Sequence, residues 1–408
     1  MKILQVNCVY KKGSTGKIVE DIHNVLIDNG IESVVCYGRG KKINDENVYK
    51  TSTEFEAKLN NLKSRMGGLQ YGGCIFATNK LLKIIKKEKP DIVHLHCING
   101  FFVSIYRLVK FLKKNNIPTV LTLHAEFMHT GNCGHAYECN KWLTGCGSCP
   151  NVKGATYSYI FDRTAAAWQK LKRAFEKFKN IKIVSVSPWL QSRAERSPML
   201  KEFEHTTVLN GINCDVFKPR ASKLREKLGL QNKYVILHVT ANFKDAAKGG
   251  QYVIDLAKRL GEKAAIIVIG SYEKTENLPP NIIDVGRMEN QTELALYYSM
   301  ADLSLITSKK ETFSMPVAES LCCGTPIVGF KAGGPETIAI PDYCAFCEYG
   351  DTDALEQLVL TQMKTKTKTE SISAEAIEKY SKTKMTDEYI KLYRSLIKQK
   401  GINNDSLL

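Results

Sequence analysis

Residues 308–324 read Ser308-Lys309-Lys310-Glu311-Thr312-Phe313-Ser314-Met315-Pro316-Val317-Ala318-Glu319-Ser320-Leu321-Cys322-Cys323-Gly324. Ser314 has the chemistry of a helix N-cap, Pro316 suits the first helical turn, and Gly324 suits a C-terminal stop. The stretch therefore predicts a short helix over Pro316–Cys322. Glu311 then lies in the loop before it, and Glu319 about one turn inside. The N–H groups around Phe313 and Ser314 lack intrahelical partners, and with the helix dipole they form a seat for an anion. A carboxylate in the first turns can accept from two neighbouring hydroxyls, as on a ribose. A carboxylate in the loop can reach a group on the other side of the anion. A nucleoside diphosphate carrying a sugar has this set of needs.

Apolar runs alternate with helical patterns on both sides of this stretch. In the second half, strands are predicted at Val235–Thr240, Ala265–Ile269, Ile282–Val285, Leu303–Thr307 and Pro326–Phe330, with helices at Gly249–Leu260 and Glu293–Met300. The first half has the same rhythm. Its strands are Lys2–Val9, Ser33–Tyr37, Asp91–His96 and Thr119–His124, and its helices Ile18–Asn29, Leu81–Lys89 and Val103–Lys114. Strands separated by helices predict βαβ units and parallel sheets, hence an α/β protein of two Rossmann-like domains. The joint is expected near Leu209–Pro219, where Asn210-Gly211-Ile212-Asn213 supplies turn chemistry. The polar run 361–370 is expected at the surface, and Met385–Lys398 as a closing helix. Ligands of open parallel sheets bind beyond the carboxyl ends of the strands. The loops after Val9, His124, Thr240 and Thr307 are therefore expected around one site.

The chain carries 58 Lys+Arg against 42 Asp+Glu, a net +16, and the excess is uneven. Residues 1–190 hold 29 basic and 14 acidic side chains, the remainder 29 and 28. Such asymmetry fits contact of the first half with nucleic acid or an acidic membrane surface, or a lysine-rich composition without function. No RNP, zinc-finger or basic-zipper pattern supports nucleic acid. At 43% hydrophobic and 25% charged residues the composition is globular. No apolar run approaches the roughly 20 residues of a membrane span. Met1–Val6 reads as a first strand rather than a signal peptide, so a cytoplasmic location is expected.

Two nucleotide motifs fail. Gly13-Ser14-Thr15-Gly16-Lys17 suggests a phosphate loop, but Lys11 stands where its leading glycine belongs and Ile18 follows the lysine. No G-x-G-x-x-G is present. ATPase and dehydrogenase readings thus have little support. Gly13 and Gly16 remain in a loop opening a helix, either receiving an anion on their N–H groups or simply making a turn.

The pair Glu311-x7-Glu319, followed by Gly324-Thr325-Pro326-Ile327-Val328 and Ala332-Gly333-Gly334-Pro335-Glu336, closely resembles the retaining glycosyltransferases of family 4. Thr240-Ala241-Asn242-Phe243 with Lys248-Gly249-Gly250 resembles their donor-phosphate segment. Val208–Asn213 with Phe217-Lys218-Pro219 resembles their interdomain segment. Thr122-Leu123-His124 resembles the strand end that carries an active-site histidine. The resemblance spans nearly the whole chain and implies the GT-B fold, two Rossmann-like domains facing across a deep cleft. It implies an acceptor-binding domain over 1–208, a nucleotide-sugar domain over 209–385, and a helix over 386–408 packing back on the first. Lys248 and the helix N-terminus would stabilise the leaving diphosphate, Glu311 would meet the donor sugar, Glu319 the ribose, and His124 the sugar from the opposite domain. No catalytic metal is implied, and domain closure is expected during turnover. His94 and His96 are expected to be structural or cleft-lining. One departure stands out: Asn242 occupies the place of a usual arginine. Either Lys244 or Arg287 supplies the second positive charge, or the diphosphate is held less tightly. The acceptor is expected to be a saccharide or lipid-linked saccharide in bacterial surface polysaccharide assembly. Two other classes stay open. A nucleotide-sugar epimerase would not be expected to combine this donor segment with the paired glutamates. A non-catalytic homologue that binds a partner enzyme has Asn242 as its one hint.

Two further stretches stand apart. Cys133, Cys139, Cys146 and Cys149 follow a C-x5-C-x6-C-x2-C spacing in a Gly/Pro-rich loop, 131–150, just after His124. In a reducing compartment such spacing suits structural zinc, an iron–sulfur cluster or free, redox-active thiols, with His135 as a substitute ligand. Cys344-x2-Cys347 reads as packing in a strand. Arg163–Lys182 places Trp168, Leu171, Phe175 and Phe178 on one helical face among many lysines. That face either covers the core or helps a basic helix approach the anionic inner face of the membrane.

Overall fold

A computed structural model describes residues 1–271, 275–365 and 369–405, with side chains to 398. The chain divides into two compact units, Met1–Leu209 with Met385–Leu408, and Asn210–Lys384.

The first unit is built on a seven-stranded sheet, ordered β3-β2-β1-β4-β5-β6-β7. Its strands are β1 (Lys2–Asn7), β2 (Glu32–Tyr37), β3 (Val48–Lys50), β4 (Ile92–Leu95), β5 (Thr119–Leu123), β6 (Ile181–Ser185) and β7 (Glu204–Thr207). Every pairing is parallel. Central strands such as Ile3–Val6 and Ile92–Leu95 are buried on both faces, which is why they read as continuous apolar runs. The final helix, Lys382–Asp405, contributes Met385, Tyr389, Tyr393 and Leu396 to a core shared with Ile3, Ile92, Val120 and Val184.

The second unit has a six-stranded parallel sheet, ordered β10-β9-β8-β11-β12-β13. Its strands are β8 (Tyr234–Val239), β9 (Ala264–Ile269), β10 (Ile282–Gly286), β11 (Leu303–Ile306), β12 (Ile327–Phe330) and β13 (Cys344–Cys347). Ile236, Ile266, Leu303 and Val328 pack with Val253, Leu256 and Leu260 of the helix Gly250–Leu260. In both sheets the strand order reverses beside the first strand, at β1/β4 and at β8/β11. Loops that diverge at such a point leave a crevice where ligands bind.

Arg163–Lys182 is not one helix. The helix runs only over Thr164–Phe175, the chain turns, and Lys182 lies inside β6, its Nζ 2.7 Å from Glu204 Oε1. Trp168, Leu171, Phe175 and Phe178 are all buried, so the apolar face covers the core. Of the polar run 361–370, residues 366–368 lie outside the described residues; Thr361 and Gln362 close the helix Thr352–Gln362. Among the described residues no helix is long and apolar enough to cross a membrane.

Candidate active site

The β8/β11 reversal brings together Lys248 and Glu311. After β8 the chain forms a turn, Thr240 to Asp245, and a single helical turn, Ala246–Lys248. Gly249 follows at φ 73° and opens the helix Gly250–Leu260. A Cβ on Gly249 would stand 2.2 Å from the Thr307 carbonyl oxygen, and one on Gly250 2.3 Å from the Phe243 oxygen. Only glycine lets this turn press against the end of β11. Two hydrogen bonds fix the contact, Thr307 Oγ1 to the Lys248 carbonyl at 2.9 Å and Lys309 N to the Ala247 carbonyl at 2.8 Å. Lys248 Nζ is thereby aimed at Glu311, 2.6 Å from Oε1, with both side chains about a quarter exposed.

Glu311 is clamped from the other side. Its N–H donates to Ala332 and its carbonyl accepts from Gly334, a short parallel bridge to the loop after β12. Glu336 holds that loop by accepting from the N–H groups of Ala332 and Gly333 at 2.8–2.9 Å. Neighbouring Phe313 and Ser314 are buried. The helix that follows is Met315–Cys322. Ser314 occupies its N-cap position, but not as the sequence suggests. It sits at φ 85°, ψ 88°, and its side chain accepts no capping bond. A left-handed non-glycine residue is strained by about 1–3 kcal/mol, and such strain gathers at ligand sites. Glu319, inside the helix, is buried, and Tyr298 Oη donates to its Oε2 at 3.2 Å.

Lys244 and Arg287, the two cations weighed beside Asn242, lie on different segments of this unit. Asn242 Oδ1 accepts from the Lys244 N–H at 3.2 Å, which tightens the turn and leaves the Lys244 side chain exposed. Arg287 follows β10, two strands from β8, and pairs with Glu289 at 3.1 Å.

In the first unit, His124 directly follows β5 and meets His96, just past the end of the neighbouring β4. His96 Nδ1 and His124 Nε2 are 3.2 Å apart and share one hydrogen bond, with their rings stacked. His94 bonds Tyr393 Oη at 2.6 Å through Nδ1 and Thr122 Oγ1 at 2.7 Å through Nε2. Burial lowers the His124 pKa to about 4 and holds His94 and His96 well below the usual imidazole range. All three are therefore neutral at pH 7. Two residues beyond His124, Glu126 is fully buried. Its Oε1 meets Arg193 Nε at 2.6 Å and its Oε2 accepts from Ala136 N at 2.8 Å. Burial alone would raise the Glu126 pKa; His129, Arg193 and the Ala136 N–H outweigh it and bring it to about 2. The guanidinium of Arg193 lies over both Trp142 and Trp189. Local sequence gave no sign of this pair. Gly13, at φ 65°, opens the helix Gly13–Asp28, while Gly16 is buried with its carbonyl bonded to Lys11 N.

Residues 15–216 match the family model described as Glycosyltransferase Family 4, and residues 221–400 the one described as Glycosyl transferases group 1. The chain belongs to glycosyltransferase family 4. Its relatives include the putative colanic acid biosynthesis glycosyl transferase WcaC of Escherichia coli, 21% identical over 97% of this chain and 100% of that protein. Another is the N-acetyl-alpha-D-glucosaminyl L-malate synthase of Bacillus anthracis, 23% identical over 96% and 97%. Among solved structures, sucrose-phosphate synthase from Thermosynechococcus elongatus superposes with a TM-score of 0.69 at 16% identity, over 98% of this chain and 100% of that one. HepE from Anabaena in complex with UDP-glucose gives 0.66 at 16%, over 97% and 100%. The fold is GT-B, two parallel-sheet α/β domains.

The glycosyltransferase thus carries Lys248, Glu311, Phe313, Ser314 and Glu319 on neighbouring segments of its second unit, while Gly13, Gly16 and His124 belong to its first. Its cysteine loop gathers the four thiols in one place. Cys133, Cys139, Cys146 and Cys149 line one cavity of about 20 Å³ beside Trp142, and all four are free thiols. Among the described residues no three His, Cys, Asp or Glu side chains are grouped to hold a metal ion. Other bonds shape the loop. Lys141 Nζ bridges the Gly147 and Ser148 carbonyls, Trp142 Nε1 takes the Cys139 carbonyl, and the Cys149 N–H goes to Asp162.

Proposed function

We propose that the protein moves a sugar from a nucleoside diphosphate sugar to an acceptor hydroxyl with retention at the anomeric carbon. The observation that carries this reading is the ammonium of Lys248 held beside Glu311 at the β8/β11 reversal. Breaking the glycosidic C–O bond builds positive charge on the sugar and negative charge on the leaving diphosphate. Lys248 and the N–H groups opening Met315–Cys322 meet the diphosphate, a preorganised electrostatic stabilisation that calls on no metal. Glu311 faces the donor sugar and, once the diphosphate draws Lys248 away, can accept from its hydroxyls. Glu319, oriented by Tyr298, takes the ribose. Asn242, Lys244 and Arg287 border the phosphates more loosely. From the first domain, 1–208, His124 orients sugar and acceptor as a neutral imidazole, and the helical turn Gly13–Gly16 admits the donor.

The acceptor is a lipid-linked saccharide in surface polysaccharide assembly. The WcaC relative, whose description names colanic acid biosynthesis, supports this, as does the uneven basic charge of the chain. HepE, solved with UDP and UDP-glucose, favours a nucleoside diphosphate donor.

A thermal-shift screen of nucleoside diphosphates, followed by assay of donor hydrolysis, tests the reading. One nucleotide should raise the melting temperature, and its sugar conjugate should be slowly hydrolysed in the presence of EDTA. Binding without any release of the diphosphate would leave a non-catalytic homologue. Proton NMR of a transferred product reads the anomeric outcome.

A further inference from the structure

One helix of the first unit is turned inside out. Glu54–Gly67 buries Ala57, Asn60 and Ser64 and exposes Phe55, Leu59, Leu62 and Met66. The exposed four follow steps of four, three and four residues, so they form a single stripe along a helix of about 21 Å. Phe55 is 78% exposed.

The stripe continues at both ends. At its start, the Glu56 carboxylate accepts from the Ala77 N–H, tying in the next helix, Ile75–Glu88, which opens on exposed Ile75 and Phe76, the latter 80% exposed. At its end, the Arg65 carbonyl accepts from Tyr159 N, and its guanidinium bonds and stacks on the Tyr159 ring. There Tyr159, Ile160 and Phe161 are each at least half exposed. Monomeric proteins rarely expose so many contiguous large apolar side chains without a partner.

The rim is basic. Lys58, Lys63, Lys80, Lys83, Lys153 and Arg163 are all exposed along these same segments. The acidic side chains among them are engaged: Glu54 with Arg39, Glu56 with Ala77 N, and Asp162 with Cys149 N and Thr164. A second copy of this face would oppose like charges. An anionic headgroup layer with acyl chains beneath complements both stripe and rim.

We propose that this face is the docking surface for an anionic lipid bilayer, with the stripe inserted and the lysines at headgroup level. It relocates membrane contact away from the helix Thr164–Phe175, whose apolar side chains are spent on the core. It deepens the reading of a lipid-linked acceptor by naming how the enzyme reaches it.

Vesicle flotation tests it, with phosphatidylcholine alone and with phosphatidylcholine containing 30% phosphatidylglycerol. Wild type should float with the anionic vesicles only, and less as salt rises. Phe55→Ser/Phe76→Ser/Ile160→Ser should lower binding at least tenfold. Lys58→Glu/Lys63→Glu/Lys80→Glu should lower it on the order of 100-fold, since each basic residue is worth on the order of fivefold. Lys170→Glu/Arg173→Glu, on the other helix, should change it less than the rim variant does. Nucleotide-induced thermal shifts, read on the same variants, should be unchanged. The proposal fails if wild type does not float, floats equally with both vesicles, or floats undiminished in the serine variant. It also fails if sedimentation shows a dimer that the serine variant abolishes. In each case intact nucleotide binding would leave the donor reading standing.

Discussion

Lys248 and Glu311, 63 positions apart, meet at 2.6 Å across the β8/β11 reversal. A diphosphate at the helix N-terminus would compete with Glu311 for the same ammonium. On the proposed reading, donor binding would exchange this ion pair for contacts to the diphosphate.

This exchange separates two substitutions. Lys248→Ala should weaken nucleoside diphosphate binding about 10–100-fold, the value of one charge-assisted hydrogen bond. Glu311→Gln should leave that affinity equal or higher, because the competing carboxylate is gone, while lowering turnover by at least an order of magnitude. Both side chains are partly exposed, so stability should change by less than about 1 kcal/mol. Calorimetry with the best nucleotide and donor-hydrolysis rates check the pair. Equal losses of affinity in both variants would refute the competition.

Gly249→Ala should be costly in a way its place on a turn would not suggest. The added carbon would meet the Thr307 carbonyl at 2.2 Å, in a backbone at φ 73°. The turn must move, and Lys248 with it. A loss on the order of 3 kcal/mol is expected, with nucleotide binding impaired as well. Gly30→Ala, also at positive φ but with open space around it, isolates the conformational part of the cost. Denaturant melts of both variants compare them; equal effects would mean the close contact does not matter.

The reach of the sequence follows from what each element buries. The central strands announce themselves because parallel strands covered on both faces are uninterrupted apolar runs. Glu311 and Glu319 stand out because they flank the start of one short helix, whereas Lys248 is singled out only by the resemblance of its segment. β3 and β7, short strands at the two sheet edges, carry little apolar signal: Glu204–Thr207 reads Glu-His-Thr-Thr. β6 was hidden because Lys182 interrupts it, and because Phe178 extended the helical period of Trp168, Leu171 and Phe175 beyond the helix end. The Glu126–Arg193 pair spans 67 positions, and Tyr298 reaches Glu319 across 21. No local pattern specifies such partners. Residue type alone makes Ser314 look like an ordinary cap, because it does not reveal a left-handed backbone.

Glu126→Ala should destabilise the first unit by about 3–5 kcal/mol, since it leaves the Arg193 guanidinium buried without its carboxylate. Because folding depresses the Glu126 pKa to about 2, the contribution is complete above the unfolded value near 4.5 and is lost as pH falls toward 2. The same change loosens the loop after His124, so turnover should fall even where the variant remains folded. The three tryptophans, Trp142, Trp168 and Trp189, all lie in this unit, so their fluorescence follows its unfolding specifically. An unchanged urea midpoint at pH 7 would show that the pair contributes nothing.

The histidine cluster predicts an earlier acid effect. Burial lowers the pKa of His94, His96 and His124, the last to about 4, whereas an unfolded imidazole protonates near 6.5. The unfolded chain therefore binds more protons below pH 6.5, and the folded state loses stability as pH drops from there toward 4. Each histidine can contribute at most about 1.4 kcal/mol per pH unit within that window. Urea midpoints followed by tryptophan fluorescence should fall between pH 7 and pH 5. His124→Gln should make the fall shallower by one proton while retaining a polar partner for His96. A midpoint that stays level across this range would mean that the imidazoles are hydrated in solution, and that His124 does not enter catalysis as a neutral group held by burial.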